Sequence, residues 1–560
     1  MRRRGLTTSI TLALVAIAAA AAPAWADEHP ADQSPFGGQK PPPLQRPDSR
    51  TAPPPGFELP ASEAIAIARR TDAVRDETSE SGELRPRALI RGDRWQVEWF
   101  AGGQDRALVI VDGTTGSVDE AWRDFQVETE LARGYEGAIA QKVNAPYVWL
   151  VLCLLFVAPY FDPRRPLRLL HLDLLVLVGL SISLYFFNRA EITASVALTY
   201  PVLGYFLLRM LVAGLWPRLR AGPLVPAVPV RWLAFGVLAL VAARIALNVF
   251  DSHVIDIGVA GVVGADRLVD GQSLYQGGFS PGLDLRGDVY GPANYLAYVP
   301  FEQLFPWHGT WDDVPAAHAA AIVFDLLCVG GLLLLGRRLR EGAEGRALGW
   351  ALAFAWVACP WTLYTMNANA NDALVAALGV AALLGLGSPP ARGAMVALAA
   401  AAKFGPAALA PLFATGTGER RWRQAVVFSV AFVAVAAALV LPFVPDGGLR
   451  EMYDRTLGYQ ATRNSPFSVW GQAPSLEPLQ VVARAAAIAL AFGVALWPRF
   501  KTPVQVAALA AAVTIGVQLT ATHWFYFYVV WFLPFALVAA FAAQERITPA
   551  SSPAGRAGAS

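Results

Sequence analysis

Two carboxylates, Asp251 and Asp256, stand where a membrane-length apolar run ends and the chain continues FDSHVIDIGVAGVVGADRLVDGQSLYQ. A carboxylate at the edge of hydrocarbon is costly, so one placed where a lipid head group meets an aqueous cavity is a functional-site candidate by default. Polar islands recur beside later apolar runs: Tyr290 in DVYGPANYLAYVPFEQLFPW, Asn367, Asn369, Asn371 and Asp372 in NANANDALVAAL, Lys403 in AAAKFGPAALAPLF, Arg463 and Trp470 in RNSPFSVWG, and His523 in THWFYFYVVWFLP. Each type has a chemistry and a plainer use. An ionised carboxylate can take a proton from a hydroxyl, or simply cap an outer helix end. Arg463 can grip an oxyanion by a bidentate fork and Lys403 as a point charge, although a lysine can also snorkel from a straight span. Trp470, Tyr275 and Tyr290 can face a sugar or sit in the interfacial aromatic belt. His523 can meet a phosphate or belong to that belt, and the asparagines can bond sugar or phosphate. Asp372 opens a helix, where it favours the dipole without any catalytic role.

Taken in order, these segments resemble the GT-C glycosyltransferases, in particular the family 87 polyprenyl-phosphomannose-dependent enzymes. The resemblance rests on Asp256 before a small-residue helix, on Gly271 to Tyr275, and on Tyr290-Gly-Pro292, where Gly replaces the commoner Pro. With the downstream islands it covers roughly residues 229–543. It implies an integral membrane enzyme that moves a sugar such as mannose from a polyprenyl-phosphate donor to a lipid, glycan or protein acceptor outside the cytoplasm. Such a transfer needs a base for the acceptor hydroxyl while positive charge develops at the anomeric carbon, and one carboxylate suffices for an inverting displacement. The family's position gives that role to Asp256, with Asp251 as second choice. Lys403, Arg463, His523, Tyr290, Asn371 and Trp470 are then the donor-binding residues. Cationic side chains can stabilise the departing phosphate, so neither a metal nor a cofactor is called for.

Composition agrees with the class. The 560 residues are 55% hydrophobic and 16% charged, with a mean hydropathy of +0.41. A formal net charge of +2 gives no reason to propose a nucleic-acid partner. Cys153, Cys328 and Cys359 all fall in apolar runs, without disulfide or metal-ligand spacing.

Organisation along the chain is uneven. Residues 1–26 read as a signal peptide ending Ala24-Trp25-Ala26, and residues 27–58 as a disordered Pro-rich tether. Residues 59–134 resemble a PepSY-like domain outside the membrane: LPASEAIAIARR has helical spacing, RWQVEWF alternates, and RALVIVDGTTGSVDEAW reads as strand, turn, strand. No nucleophile or metal cluster marks it, so binding or regulation is the expectation there. Residues 146–215 hold additional membrane helices, 229–543 the GT-C-like membrane domain and 544–560 a cytoplasmic tail. The expected fold is therefore an all-α polytopic membrane protein with about 11–13 transmembrane helices, carrying a small α+β extracytoplasmic N-terminal domain.

Basic loops test this topology. DPRRPLR, WPRLRAG, GRRLREGAEGR, GERRWR and WPRFK should all face the cytoplasm, but crossing counts put GERRWR outside. One repair is that Gly393–Thr415 turns back on itself at Lys403-Phe-Gly-Pro406, as broken helices do where they line cavities. Arg244 and Asp325, at similar depth on neighbouring runs, are expected to form a buried structural ion pair. Two other classes stay open: a secondary transporter, which should show internal repeats and midplane polar residues, and a non-catalytic sensor using the N-terminal domain.

Overall fold

The computed structural model describes residues 43–133, 139–216, 228–276, 279, 286–311, 314–463 and 465–542. The expected signal peptide, the first half of the tether (27–42) and the tail lie outside the described residues.

The N-terminal unit pairs two helices, α1 (Ala61–Ala68) and α2 (Asp72–Ser81), with a four-stranded antiparallel sheet in the order β1-β2-β3-β4. The strands are β1 (Arg85–Arg91), β2 (Arg94–Ala101), β3 (Gln104–Asp112) and β4 (Val118–Arg123). Alternation in RWQVEWF puts Trp95, Val97 and Trp99 on one buried face, where they meet Ala61, Ala64 and Ala68 of α1. The expected strands in RWQVEWF and RALVIVDGTTGSVDEAW are β2, β3 and β4, and the structure adds β1. The β3–β4 turn is locked by Asp112, whose Oδ1 accepts from the backbone N–H of Thr114 and Thr115. Residues 43–58, read from composition as tether, are seated on this unit. Gln45 pairs with Ile90, and the Phe57 ring meets Trp95 edge-on at 5.1 Å.

Among the described residues, six helical segments are long and apolar enough to cross a bilayer: Leu169–Phe187, Ile192–Leu215, Val230–Phe250, Pro315–Leu339, Arg421–Phe443 and Pro474–Leu496. A pair bent by 58°, α11 (Gly342–Ala358) and α12 (Pro360–Asn367), makes a seventh, and five shorter apolar helices complete the bundle. In chain order the principal helices before α11 are α3 (Pro146–Val157), α4 (Leu169–Gly179), α5 (Ser181–Phe187), α6 (Ile192–Leu215) and α7 (Val230–Phe250). They continue with α8 (Asp256–Val269), α9 (Pro292–Leu304) and α10 (Pro315–Leu339). After α12 come α13 (Asp372–Leu384), α14 (Pro389–Ala402), α15 (Ala410–Thr415), α16 (Arg421–Val440), α17 (Glu477–Leu496), α18 (Pro503–Gln518) and α19 (Val529–Ala542). The three cysteines are buried and free.

The α11–α12 bend frees backbone carbonyls, and a buried polar cluster takes them up. Arg244 donates to the Val357 carbonyl and to Thr362 Oγ1, both at 3.1 Å, and pairs with Asp325 at 2.6 Å. Trp356 Nε1 donates to the same Asp325 oxygen at 2.9 Å. The expected ion pair is thus present, and it stabilises a kink.

The segment after Gly393 doubles back. Arg392, near the start of α14, donates to the carbonyls of Leu386 before it and of Phe413 and Ala414 in α15, and to Gln424 Oε1 in α16. The start and end of the segment therefore share one end of the bundle, with Lys403 at the far tip where α14 stops. Pro406 and a short 3-10 turn, Gly405–Leu409, carry the chain round. This return brings GERRWR back among the other basic loops. Lys501 N–H bonds the Thr417 carbonyl, Trp497 meets Trp216, and Arg340 donates to the Ala542 carbonyl.

Candidate active site

At the opposite end of the bundle, α7 ends and α8 begins across a five-residue link held by asparagines. Asn369 Nδ2 donates to the His253 carbonyl at 3.1 Å and to Ser252 Oγ at 3.0 Å, while its Oδ1 accepts from Asn248 at 2.8 Å. Asn367 donates to the carbonyls of Leu247 and Asp251. Two of the three alternating asparagines therefore staple the link instead of facing a ligand. Trp311 adds an indole N–H to the Val254 carbonyl at 2.8 Å.

The small residues of α8 let it lie close on its neighbours. A Cβ at Gly261 would stand 2.6 Å from the Tyr298 ring, and one at Gly264 2.1 Å from the Tyr295 ring. This packing fixes Asp256, the first residue of α8, at the end of the bundle opposite the basic loops. Its carboxylate is exposed and accepts the Ile257 N–H at 2.8 Å. Surrounding protein nonetheless desolvates it and pushes its proton affinity above the usual carboxylate range. Arg463, Lys403 and the Ile257 N–H pull the other way, and Asp372 adds to the rise.

Below Asp256 lies a buried ion pair. Lys403 Nζ sits 2.6 Å from Asp372 Oδ1, and Trp531 Nε1 donates to the same oxygen at 2.7 Å. The ammonium is also within 5.4–5.7 Å of the ring centres of Tyr290, Tyr528 and Trp531. Sequence reasoning gave Asp372 only a helix-dipole role and passed over Trp531 and Tyr528. In the fold these residues engage Lys403, so the charge of Lys403 is largely compensated before any ligand arrives. Asn371 is buried too, its Nδ2 2.6 Å from Asn294 Oδ1.

Arg463 is different. It is half-buried, and its guanidinium makes no hydrogen bond or ion pair among the described residues, yet it is close enough to influence Asp256, Lys403 and His523. Its five N–H donors are free for an oxyanion. His523 joins Ser465 Oγ through Nδ1 at 2.8 Å, and burial, with Arg463 and Lys403 nearby, holds its imidazole well below the ordinary value. A neutral imidazole offers hydrogen bonds here and no charge. Trp470 uses its indole N–H on the Leu519 carbonyl at 2.8 Å, which leaves its ring for apolar contact. The Tyr290 backbone is fixed by two buried tyrosines: Tyr275 Oη donates to its carbonyl at 2.8 Å and Tyr295 Oη accepts its N–H at 3.2 Å.

Asp251 does not face this cluster. Its carboxylate is paired with Lys142, from the short helix before α3.

Residues 289–544 match the model of glycosyltransferase family 87. The match covers a little under half of the chain, and the family is what this part of the chain is similar to. The matched stretch takes in Tyr290, Asn371, Asp372, Lys403, Arg463, Trp470, His523 and Trp531, and begins after Asp251 and Asp256. No curated protein matches the chain. Among solved structures, ArnT from Cupriavidus metallidurans, determined bound to undecaprenyl phosphate, is similar at 17% identity and a TM-score of 0.33. The similarity covers 56% of this chain and 60% of that one, so the chain spans about three-fifths of the length of ArnT. The chain thus joins a small N-terminal sheet domain to a multi-helix apolar domain whose later part resembles glycosyltransferase family 87.

Proposed function

We propose that the protein is a membrane glycosyltransferase that moves a sugar, mannose in our reading, from a polyprenyl-phosphate donor to an extracytoplasmic lipid, glycan or protein acceptor with inversion, using Asp256 as general base. The observation that carries this reading is an accessible carboxylate, Asp256, within electrostatic reach of an uncommitted guanidinium, Arg463. A lipid-linked donor leaves its tail in the bilayer and presents its phosphate and sugar at the level where these two groups meet. Arg463 receives the departing phosphate, and Asp256 takes the proton of the attacking hydroxyl. Two carboxylates acting together would suit a retaining reaction. The engagement of Asp251 with Lys142 favours a single base.

The basic loops gathered at the other end favour an extracytoplasmic site and N-terminal domain. His523 and Trp470 line the outer approach as neutral partners for the sugar or the lipid neck. Tyr290 roofs Lys403, which contributes positive potential to the donor phosphate despite its pairing with Asp372.

Membranes containing the protein, supplied with radiolabelled polyprenyl-phosphate sugars, test the reaction class and the sugar together. Transfer from one donor to an endogenous acceptor is expected. Absence of transfer from every lipid-linked donor, with the protein inserted and folded, would refute the proposal.

A further inference from the structure

Between α16 and α17 the chain forms an outer arm that reads in sequence as a polar loop, GLREMYDRTLGYQAT. It is helical: Gly448–Tyr453, a π-turn over Asp454–Gly458, then Tyr459–Thr462, delivering Arg463 at its end. Its outward stripe is apolar and bare, with Leu449 60%, Tyr453 51% and Leu457 43% exposed. The inward side carries Met452, Arg455, Thr456 and Tyr459. Of these, Met452 and Thr456 are buried, a small apolar anchor for an arm of this length.

Polar contacts do much of the docking. Arg455 Nη1 lies 2.7 Å from Asp288 Oδ2, and the same guanidinium lies 2.8 Å from Glu451 Oε1 one turn back. The Arg286 guanidinium stacks over the Tyr459 ring at 4.0 Å. Asp288 and Arg286 precede Tyr290 by two and four residues, in a loop anchored by Tyr295, which bonds the carbonyl of Gly287 at 2.5 Å and the N–H of Tyr290. Arg455, Tyr459 and Arg463 follow one another at intervals of four.

We propose that Arg455 is a positioning residue for the transfer reaction: through Asp288 it fixes the arm that ends in Arg463 against the loop that carries Tyr290. The proposal rests on Arg463 being the phosphate-binding cation of the function proposed above. Fully exposed ion pairs hold little, but the Asp288 side chain is only 11% exposed and Arg455 is clamped between two carboxylates, so the bridge is sheltered and geometrically defined. The π-turn encloses Arg455 itself, and such turns within α-helices recur at functional sites. With the bridge broken, the arm keeps its helix and its apolar stripe but no longer sets the angle at which Arg463 enters the cavity.

The test uses the full chain in lipid nanodiscs, with undecaprenyl phosphate as probe. Arg455→Gln and Asp288→Asn should each weaken probe affinity about tenfold, a typical coupling for a sheltered pair, with little change in melting temperature. Exchanging the charges, Asp288→Arg with Arg455→Asp, should restore most of the affinity. Arg455→Gln added to Arg463→Gln should cost nothing beyond Arg463→Gln alone, because Arg455 acts through Arg463. Unchanged affinity in Arg455→Gln, while Arg463→Gln weakens binding, would overturn the positioning role and leave the site reading intact. Loss in both single variants that the exchange fails to restore, accompanied by a lowered melting temperature, would make the bridge merely structural. If Arg463→Gln itself leaves affinity unchanged, or the unaltered protein does not bind the probe, the site reading falls and the positioning role with it.

Discussion

As the proposed base, Asp256 differs from a structural carboxylate at the scale of a single residue. Its folded-state proton affinity is raised, so ionisation of this carboxyl costs the folded protein free energy. Asp256→Asn should therefore lower turnover by about a hundred- to ten-thousandfold while the melting temperature at pH 7 holds or rises. A residual rate within a few-fold of the parent would exclude the base, and a large fall in melting temperature would mark a capping role. In the parent enzyme, turnover should fall as pH drops through the folded-state pKa of Asp256, which lies above the ordinary 3.8. Lys403 makes the opposite case. Removing its charge in Lys403→Met strands Asp372 in a buried site where one carboxylate oxygen already lacks a partner. Destabilisation of about 3–5 kcal/mol is expected, with recovery in Lys403→Met combined with Asp372→Asn, both read by thermal melting in detergent. Asp256, Arg463 and Lys403 were legible in the sequence as polar islands. Their arrangement was not: Asp372 meets Lys403 across 31 positions and Trp531 across 159, and nothing in their local sequence signals either contact.

At the scale of elements, hydropathy marked the apolar runs well and their crossings less well. The conflict between GERRWR and the crossing count pointed to a hairpin at Lys403, and the Arg392 contacts with both of its ends place that hairpin in the structure. Cysteine substituted at Gly448 should react with a membrane-impermeant reagent from outside. At Arg420 it should react only after permeabilisation, and outside labelling there would contradict the assignment of the basic end to the cytoplasm. Alternation gave β2, β3 and β4, whereas β1 was hidden because RPRALIR opens with Arg and Pro, which suit an edge strand. The outer arm escaped because its inward side is charged, so its apolar period marks the wrong face for a core helix. The Arg244–Asp325 pair was foreseen from depth alone, but its service to the α11–α12 bend needed the fold.

For the whole molecule, the sheet domain has its own apolar core, while Ala132, beyond β4, is buried in the same cluster as Ile139, Ala140 and Val143 of the membrane part. Residues around Ala132 thus touch both parts, since Arg133 still pairs with Glu120 of β4. Deleting residues 27–123 behind the expected signal peptide should preserve transfer activity, whereas extending the deletion past Ala132 should lower the yield of folded protein. Loss of sugar transfer in the shorter deletion, with donor binding intact, would place acceptor docking in the sheet domain.

The two arms that meet at the Lys403–Asp372 pair also set a depth. α13 has 13 residues and α14 has 14, so each climbs about 20 Å from the basic end of a hydrocarbon layer about 30 Å thick. If the basic end is cytoplasmic, as proposed, the Lys403–Asp372 pair then lies about 10 Å below the far surface of the bilayer, like the bottom of a well cut into the leaflet. On the proposed function, a lipid-borne sugar reaches this depth without leaving the membrane, but an acceptor arriving from the aqueous side must bring its hydroxyl down on a slender stem. A ladder of acceptors that differ only in the length of a flexible stem should show transfer switching on once the stem exceeds that depth, and bulky acceptors without one should be refused whatever their chemistry.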